Sequence, residues 1–110
     1  MTLLEQMERQ RYQNRERLRC EERRHLREVL DQTIPGLRVF VFGSLVKPGR
    51  FTEESDIDLA LEFEPPGMTV YQLISLLGER MGRRVDVLLL EACRFKDRVL
   101  REGELWTPQG

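Results

Sequence analysis

Apolar positions change their spacing several times along the chain, and each change marks an element. Residues 3–31 contain neither proline nor glycine, and Leu26, Val29 and Leu30 recur at i, i+3, i+4, the spacing of one helix face. This predicts a single long N-terminal helix stopped by Ile34-Pro35-Gly36. Its middle is different: from residue 8 to residue 24 the only apolar side chains are Tyr12, Leu18 and Cys20. That segment is expected to be solvated or to face a partner. Charge pairs Glu5–Arg9, Arg17–Glu21 and Arg24–Glu28 would each add roughly 0.2–0.5 kcal/mol. Leu4, Leu18 and His25 share a heptad position that Arg11 interrupts, so a strong coiled coil is not expected.

Past Gly36 the pattern becomes that of strands. Leu37 to Phe42 reads as a first strand, followed by Gly43-Ser44 and one helical turn through Lys47 that Pro48-Gly49 ends. The stretch from Asp56 to Phe63 alternates strictly. Asp56, Asp58, Ala60 and Glu62 fall on one face, and Ile57, Leu59, Leu61 and Phe63 on the other. Pro65-Pro66-Gly67 marks a turn, and Thr69-x-x-Gln72 has the form of a capping box. Val70, Leu73, Ile74, Leu77 and Met81 then trace the core face of a helix capped by Gly82. Arg84 to Leu90 is a third strand in which Arg84, Asp86, Leu88 and Leu90 share a face. Phe95, Val99 and Leu100 mark a last helix ended by Gly103, after which Leu105-Trp106 can close the core.

Composition narrows the setting. At 110 residues and 13.1 kDa the chain is one domain, with a helical extension over 1–36 and the alternating part over 37–110. Eighteen basic residues against 19 acidic ones give a net charge of −1, so no general attraction to nucleic acid or membrane follows. Cys20 and Cys93 lie far apart with no C-x-x-C, which reads as free thiols in a reducing compartment. A charge as early as Glu5 and no apolar run near ~18 residues predict neither signal peptide nor membrane span, hence a cytoplasmic protein. His25, the only histidine, has no nucleophile near it in sequence and reads as a surface or packing residue.

The candidate chemistry sits in the alternating strands. Aspartate is depleted in strands, and Asp56 and Asp58, about 7 Å apart by the strand rise, repel each other unless something positive lies between them. A divalent metal answers that need; a merely solubilising strand edge is the plainer alternative for a bare Asp-x-Asp. Gly43-Ser44 weighs against the plainer reading, because a glycine ending a short apolar strand lets backbone N–H groups approach an anion and Ser44 adds a hydroxyl. Asp86 is a lone carboxylate in an apolar strand, costly to bury unpaired by several kcal/mol, and is expected at the same acidic site.

Gly43-Ser44, the eleven residues from Leu45 to Ser55, Asp56-x-Asp58 and the later Asp86 together resemble the minimal nucleotidyltransferases of the DNA polymerase β superfamily. The resemblance covers about residues 37–105. It implies an α/β (α+β) fold: a small mixed or antiparallel three- to four-stranded sheet, helices packed on one face, and a carboxylate-lined groove on the other. It also implies that Asp56, Asp58 and Asp86 are the catalytic carboxylates and bind two magnesium ions. Gly43, Ser44 and Lys47, with Ser55 ahead of the first aspartate, would bind the triphosphate of ATP or another nucleoside triphosphate. The spacing is one residue longer than the family's commonest form, and Leu45 stands where arginine is frequent.

Relatives of this look act as antitoxins that add AMP to a hydroxyl of a small helical partner of the higher-eukaryote and prokaryote nucleotide-binding (HEPN) type. A chain this short has no room for an acceptor pocket of its own, which fits a partner protein as acceptor. The rival reading is a non-catalytic nucleotide-binding or antitoxin scaffold. Homodimerisation is left open.

Overall fold

In the computed structural model, which describes residues 1–110, the strand Val39–Phe42 (β1) lies at the interior of a four-stranded sheet. It pairs antiparallel with Ile57–Leu61 (β2) on one side and with Glu104–Trp106 (β4) on the other. On its far side β2 pairs in parallel with Val85–Leu89 (β3), giving the order β3-β2-β1-β4. A parallel pair needs a crossover, and the helix Val70–Met81 (α2) supplies it. Its start is the predicted capping box, with Thr69 accepting from the Gln72 N–H and the Gln72 side chain accepting from the Thr69 N–H. The sheet is therefore mixed and four-stranded, within the range of mixed or antiparallel sheets that the resemblance implied.

Alternation sorts the strands between two faces. Val39, Val41, Ile57, Leu59, Leu61, Val85 and Val87 are buried beneath α2 and the last turns of the long helix Leu3–Thr33 (α1), which contributes Leu26, Val29 and Leu30. On the opposite face Phe40, Phe42 and Ala60 form a smaller cluster with Leu90 and with Val99 of the short helix Lys96–Glu102 (α3). Only the β2–β3 end of that face stays open, and the aspartates lie there.

The middle of α1, expected to be solvated or to face a partner, is exposed on one side only. On the other side Arg15, Glu16, Leu18, Arg19, Glu22 and Arg23 are half-buried, with Glu16 and Arg19 bonded to the loop between β1 and β2. Glu16 Oε2 accepts the Gly49 N–H at 2.8 Å, Arg19 Nη1 donates to the Leu45 carbonyl at 3.2 Å, and Arg23 forks onto Glu104 at 2.8 and 3.0 Å. The Tyr12 ring lies where a Cβ on Gly49 would come within 2.6 Å of it. An interface made with loop carbonyls and N–H groups calls for polar side chains, so a search for apolar periodicity passes over it. The expected i, i+4 pairs on α1 are likewise absent; Arg19 pairs instead with Glu16, three residues away.

Phe63 also departs from the apolar face expected for it. β2 stops at Leu61, leaving Phe63 on the surface, while Phe51 from the loop is fully buried beneath the Arg83 guanidinium, 4.7 Å from its ring centre. His25 is exposed, as expected. No helix is long and apolar enough to cross a membrane.

Candidate active site

The site begins with register. β2 and β3 run parallel with Asp58 directly beside Asp86, and on the other side of β2 the antiparallel register sets Asp58 opposite Phe42. Asp56 precedes β2 by one residue. All three carboxylates belong to the face turned away from the main core, and all three are half-buried.

Gly43 follows Phe42 and opens a short 3₁₀ turn, Gly43–Val46. Its φ of +78° is one that residues with a Cβ rarely adopt, and a Cβ there would lie 2.4 Å from Asp58 Oδ2. Glycine at this position is thus what lets the Asp58 carboxylate lie against the turn. Ser44 is half-buried and its hydroxyl makes no hydrogen bond within the protein, while its carbonyl accepts the Lys47 N–H at 3.1 Å. Leu45, at the position where arginine is frequent, is fully buried in the main core, so its side chain anchors the turn and is turned away from any ligand. Lys47 makes no ion pair. With Gly43, Asp58, Phe42, Phe95 and Arg98 it lines a pocket of about 230 Å³ on the open face.

Ser55 is occupied differently. Its hydroxyl accepts the Thr52 N–H at 2.9 Å and lies 3.2 Å from the Thr52 hydroxyl, and its carbonyl takes a 2.8 Å hydrogen bond from Arg83. These bonds close the loop that delivers the chain to Asp56.

The electrostatics of the triad are uneven. Burial pushes the Asp58 carboxyl above the usual carboxylate range, and the charges of Asp86 and Asp56 push it the same way, with Arg84 opposing them. Arg84, which the alternation put on the same face as Asp86 without a role, has its Nε 3.3 Å from Asp86 Oδ1 and 3.9 Å from Asp56 Oδ2. Asp58 makes no ion pair of its own.

Three carboxylates of this kind suit a hard divalent cation in donor chemistry, and Asp58 in particular has no ion pair to give up. The side chains as they stand do not gather three acidic groups around one point, since the Arg84 guanidinium stands between Asp56 and Asp86. Sequence reasoning also passed over Glu16, Arg19 and Arg83, which hold the turn and the loop. Their targets are backbone atoms more than two dozen residues away, and no local pattern records that.

The family model described as polymerase beta, nucleotidyltransferase matches residues 24–107. Among solved structures, the crystal structure of a toxin–antitoxin with AMP-PNP aligns with a TM-score of 0.56 and 25% identity over 74% of this chain and 70% of that one. The crystal structure of the toxin–antitoxin MntA-HepT aligns with a TM-score of 0.49 and 22% identity over 73% of this chain and 65% of that one, just under two thirds of its length. No curated protein matches the chain.

Proposed function

The chain belongs to the polymerase beta nucleotidyltransferase family, and from that premise we propose that it transfers a nucleoside monophosphate, AMP from ATP, to a hydroxyl of a partner protein as the antitoxin of a toxin–antitoxin pair. The observation that carries the reading is the side-by-side register of Asp58 and Asp86, with the Asp58 carboxylate against Gly43 at the start of the turn. That register brings carboxylates of two strands beside the Gly43–Ser44 turn, which supports a site for a metal–triphosphate. The structural likeness to a toxin–antitoxin with AMP-PNP supports both the nucleotide and the setting.

Each residue then has a task. Asp56, Asp58 and Asp86 would hold two magnesium ions, which would supply Lewis-acid polarisation of the phosphates. Gly43 and the Ser44 hydroxyl receive the terminal phosphates, and Lys47 neutralises part of their charge. Asp86 takes the proton of the acceptor hydroxyl as that oxygen bonds to the α-phosphorus. The bond from the α-phosphorus to the bridging oxygen breaks, and pyrophosphate leaves. Ser55, its hydroxyl engaged with Thr52, acts on the triphosphate through the loop it closes. The acceptor is a small helical HEPN-type partner, docked on the open face or on α1, and the reaction takes place in the cytoplasm.

A second reading has one observation in its favour: Arg84 already pairs with two of the three carboxylates. In that reading the domain is a nucleotide-binding or antitoxin scaffold that binds its partner without chemistry. Intact-mass measurement of the partner after incubation with this protein, ATP and magnesium separates the two. The wild type adds one or more AMP units and the Asp56→Asn/Asp58→Asn variant adds none while still forming the complex. A complex that blocks the partner's activity with no mass gain from any of the four triphosphates overturns the catalytic reading.

A further inference from the structure

Arg84 is the eccentric residue of the acidic face. It precedes Asp86 by two positions on β3, so alternation sends both side chains to the same side of the sheet. The β2–β3 register starts with Ile57 beside Val85, and continuing it by one residue sets Arg84 beside Asp56. The guanidinium is thereby held across the diagonal between Asp56 and Asp86, 3.9 Å from one carboxylate and 3.3 Å from the other. Its side chain is 72% exposed, against 43% for Asp56 and 37% for Asp86, so charge and not packing sets its position. An exposed pair of this kind contributes little to stability. Stability therefore gives no account of an arginine held between two of the three carboxylates.

We propose that Arg84 is a built-in counter-cation of the site: in the metal-free protein its guanidinium stands between Asp56 and Asp86 and competes with a divalent cation for those carboxylates. The inference rests on the reading above, in which these side chains hold metal. Two consequences follow from the chemistry. The metal-free face has one of its three negative charges offset, and a divalent ion must displace a flexible, solvated side chain before it can use all three aspartates. The nucleotide-free protein therefore holds metal more weakly than its carboxylates alone would allow.

Manganese(II) binding to the nucleotide-free full chain, followed by the electron paramagnetic resonance signal of the free ion, tests this without recourse to activity. Removing a unit charge about 4 Å from the carboxylates, at near-bulk dielectric, is worth roughly fivefold in affinity. Arg84→Gln should bind manganese about fivefold more tightly than the wild type, and Arg84→Lys, which keeps the charge, should not. Arg9→Gln, on the exposed start of α1, carries the same change in net charge and should leave affinity unchanged. Equal or weaker binding by Arg84→Gln overturns the inference, as does an equal gain by Arg9→Gln. If the wild type binds manganese and Arg84→Gln does not improve on it, only the role of Arg84 falls. If neither protein takes up manganese at millimolar concentration, the metal-site reading falls and takes the inference with it.

Discussion

Asp58 and Asp86 stand side by side across the parallel pair β2 and β3, and Arg84, the cation paired with Asp86, turns its second contact to Asp56 and not to Asp58. Asp58 is thus the least compensated carboxylate of the site, and burial adds to its cost.

The stability consequence has a definite sign. The folded state holds the Asp58 proton more tightly than the unfolded chain does, so this group favours folding at low pH. Its contribution declines as pH rises from the unfolded carboxylate value, near 3.9, through the raised folded one. Above the raised folded value the whole penalty stands. Asp58→Asn should raise the melting temperature of the metal-free protein by a few degrees, on the order of 1 kcal/mol. The same variant should lose the stabilisation that magnesium and nucleoside triphosphate give the wild type, ~2.7 kcal/mol at a hundredfold excess over the dissociation constant. Thermal melts in chelator and in magnesium–ATP check both; an undiminished ligand shift in Asp58→Asn contradicts a metal role.

Gly43→Ala should damage the site and the fold together. The new Cβ must adopt a φ of +78° and would meet Asp58 Oδ2 at 2.4 Å. Gly67→Ala is the control, because Gly67 has a φ of +79° with nothing within 4 Å of its would-be Cβ. Both variants should lose about 1–2 kcal/mol from backbone strain. Only Gly43→Ala should also lose triphosphate affinity in a nucleotide titration.

Lys47→Ala isolates charge from structure. Lys47 has no ion pair to lose and lines the pocket beside Asp58 and Gly43. Its removal should leave the melting temperature within about 0.5 kcal/mol of the wild type, as for other substitutions away from the core. Triphosphate binding should weaken several-fold. A fall in stability with unchanged nucleotide affinity would assign Lys47 a purely structural role.

The contacts of α1 with the loop and with β4 should appear in acid. The Arg19 guanidinium, then the Gly49 N–H, holds the Glu16 carboxyl below its ordinary range, and Arg23, then Trp106, does the same for Glu104. Depressed carboxylates contribute stability that is complete above the unfolded value, near 4.3, and is lost as pH falls through the lower folded values. The Glu16→Gln/Glu104→Gln variant should be less stable at pH 7 and should lose less on going from pH 5 to pH 3 than the wild type does. Chemical denaturation at a series of pH values measures this directly. Parallel acid limbs would contradict it.

What the sequence determined by itself was the set of elements and the face on which each residue lies. Alternation of period two put Asp56 and Asp58 opposite Ile57, Leu59 and Leu61, and the i, i+3, i+4 pattern gave α2 its core face, because both periods are fixed by local backbone geometry. The resemblance carried by Gly43-Ser44, Asp56-x-Asp58 and Asp86 supplied the family. Tertiary structure alone decided how these faces meet. The parallel register that brings Asp58 beside Asp86 is a pairing between residues 28 positions apart. The two contacts of Arg84 follow from that register, and its shared face with Asp86 did not reveal them. The middle of α1 is the sharper case. Its arginines and glutamates satisfy carbonyls and N–H groups of the loop through Leu45 and Gly49, and hydrogen bonds to a distant backbone leave no trace in hydropathy. The sequence could therefore say which side of the sheet carried the acidic residues, while the balance of charge among them had to wait for the neighbours that folding provides.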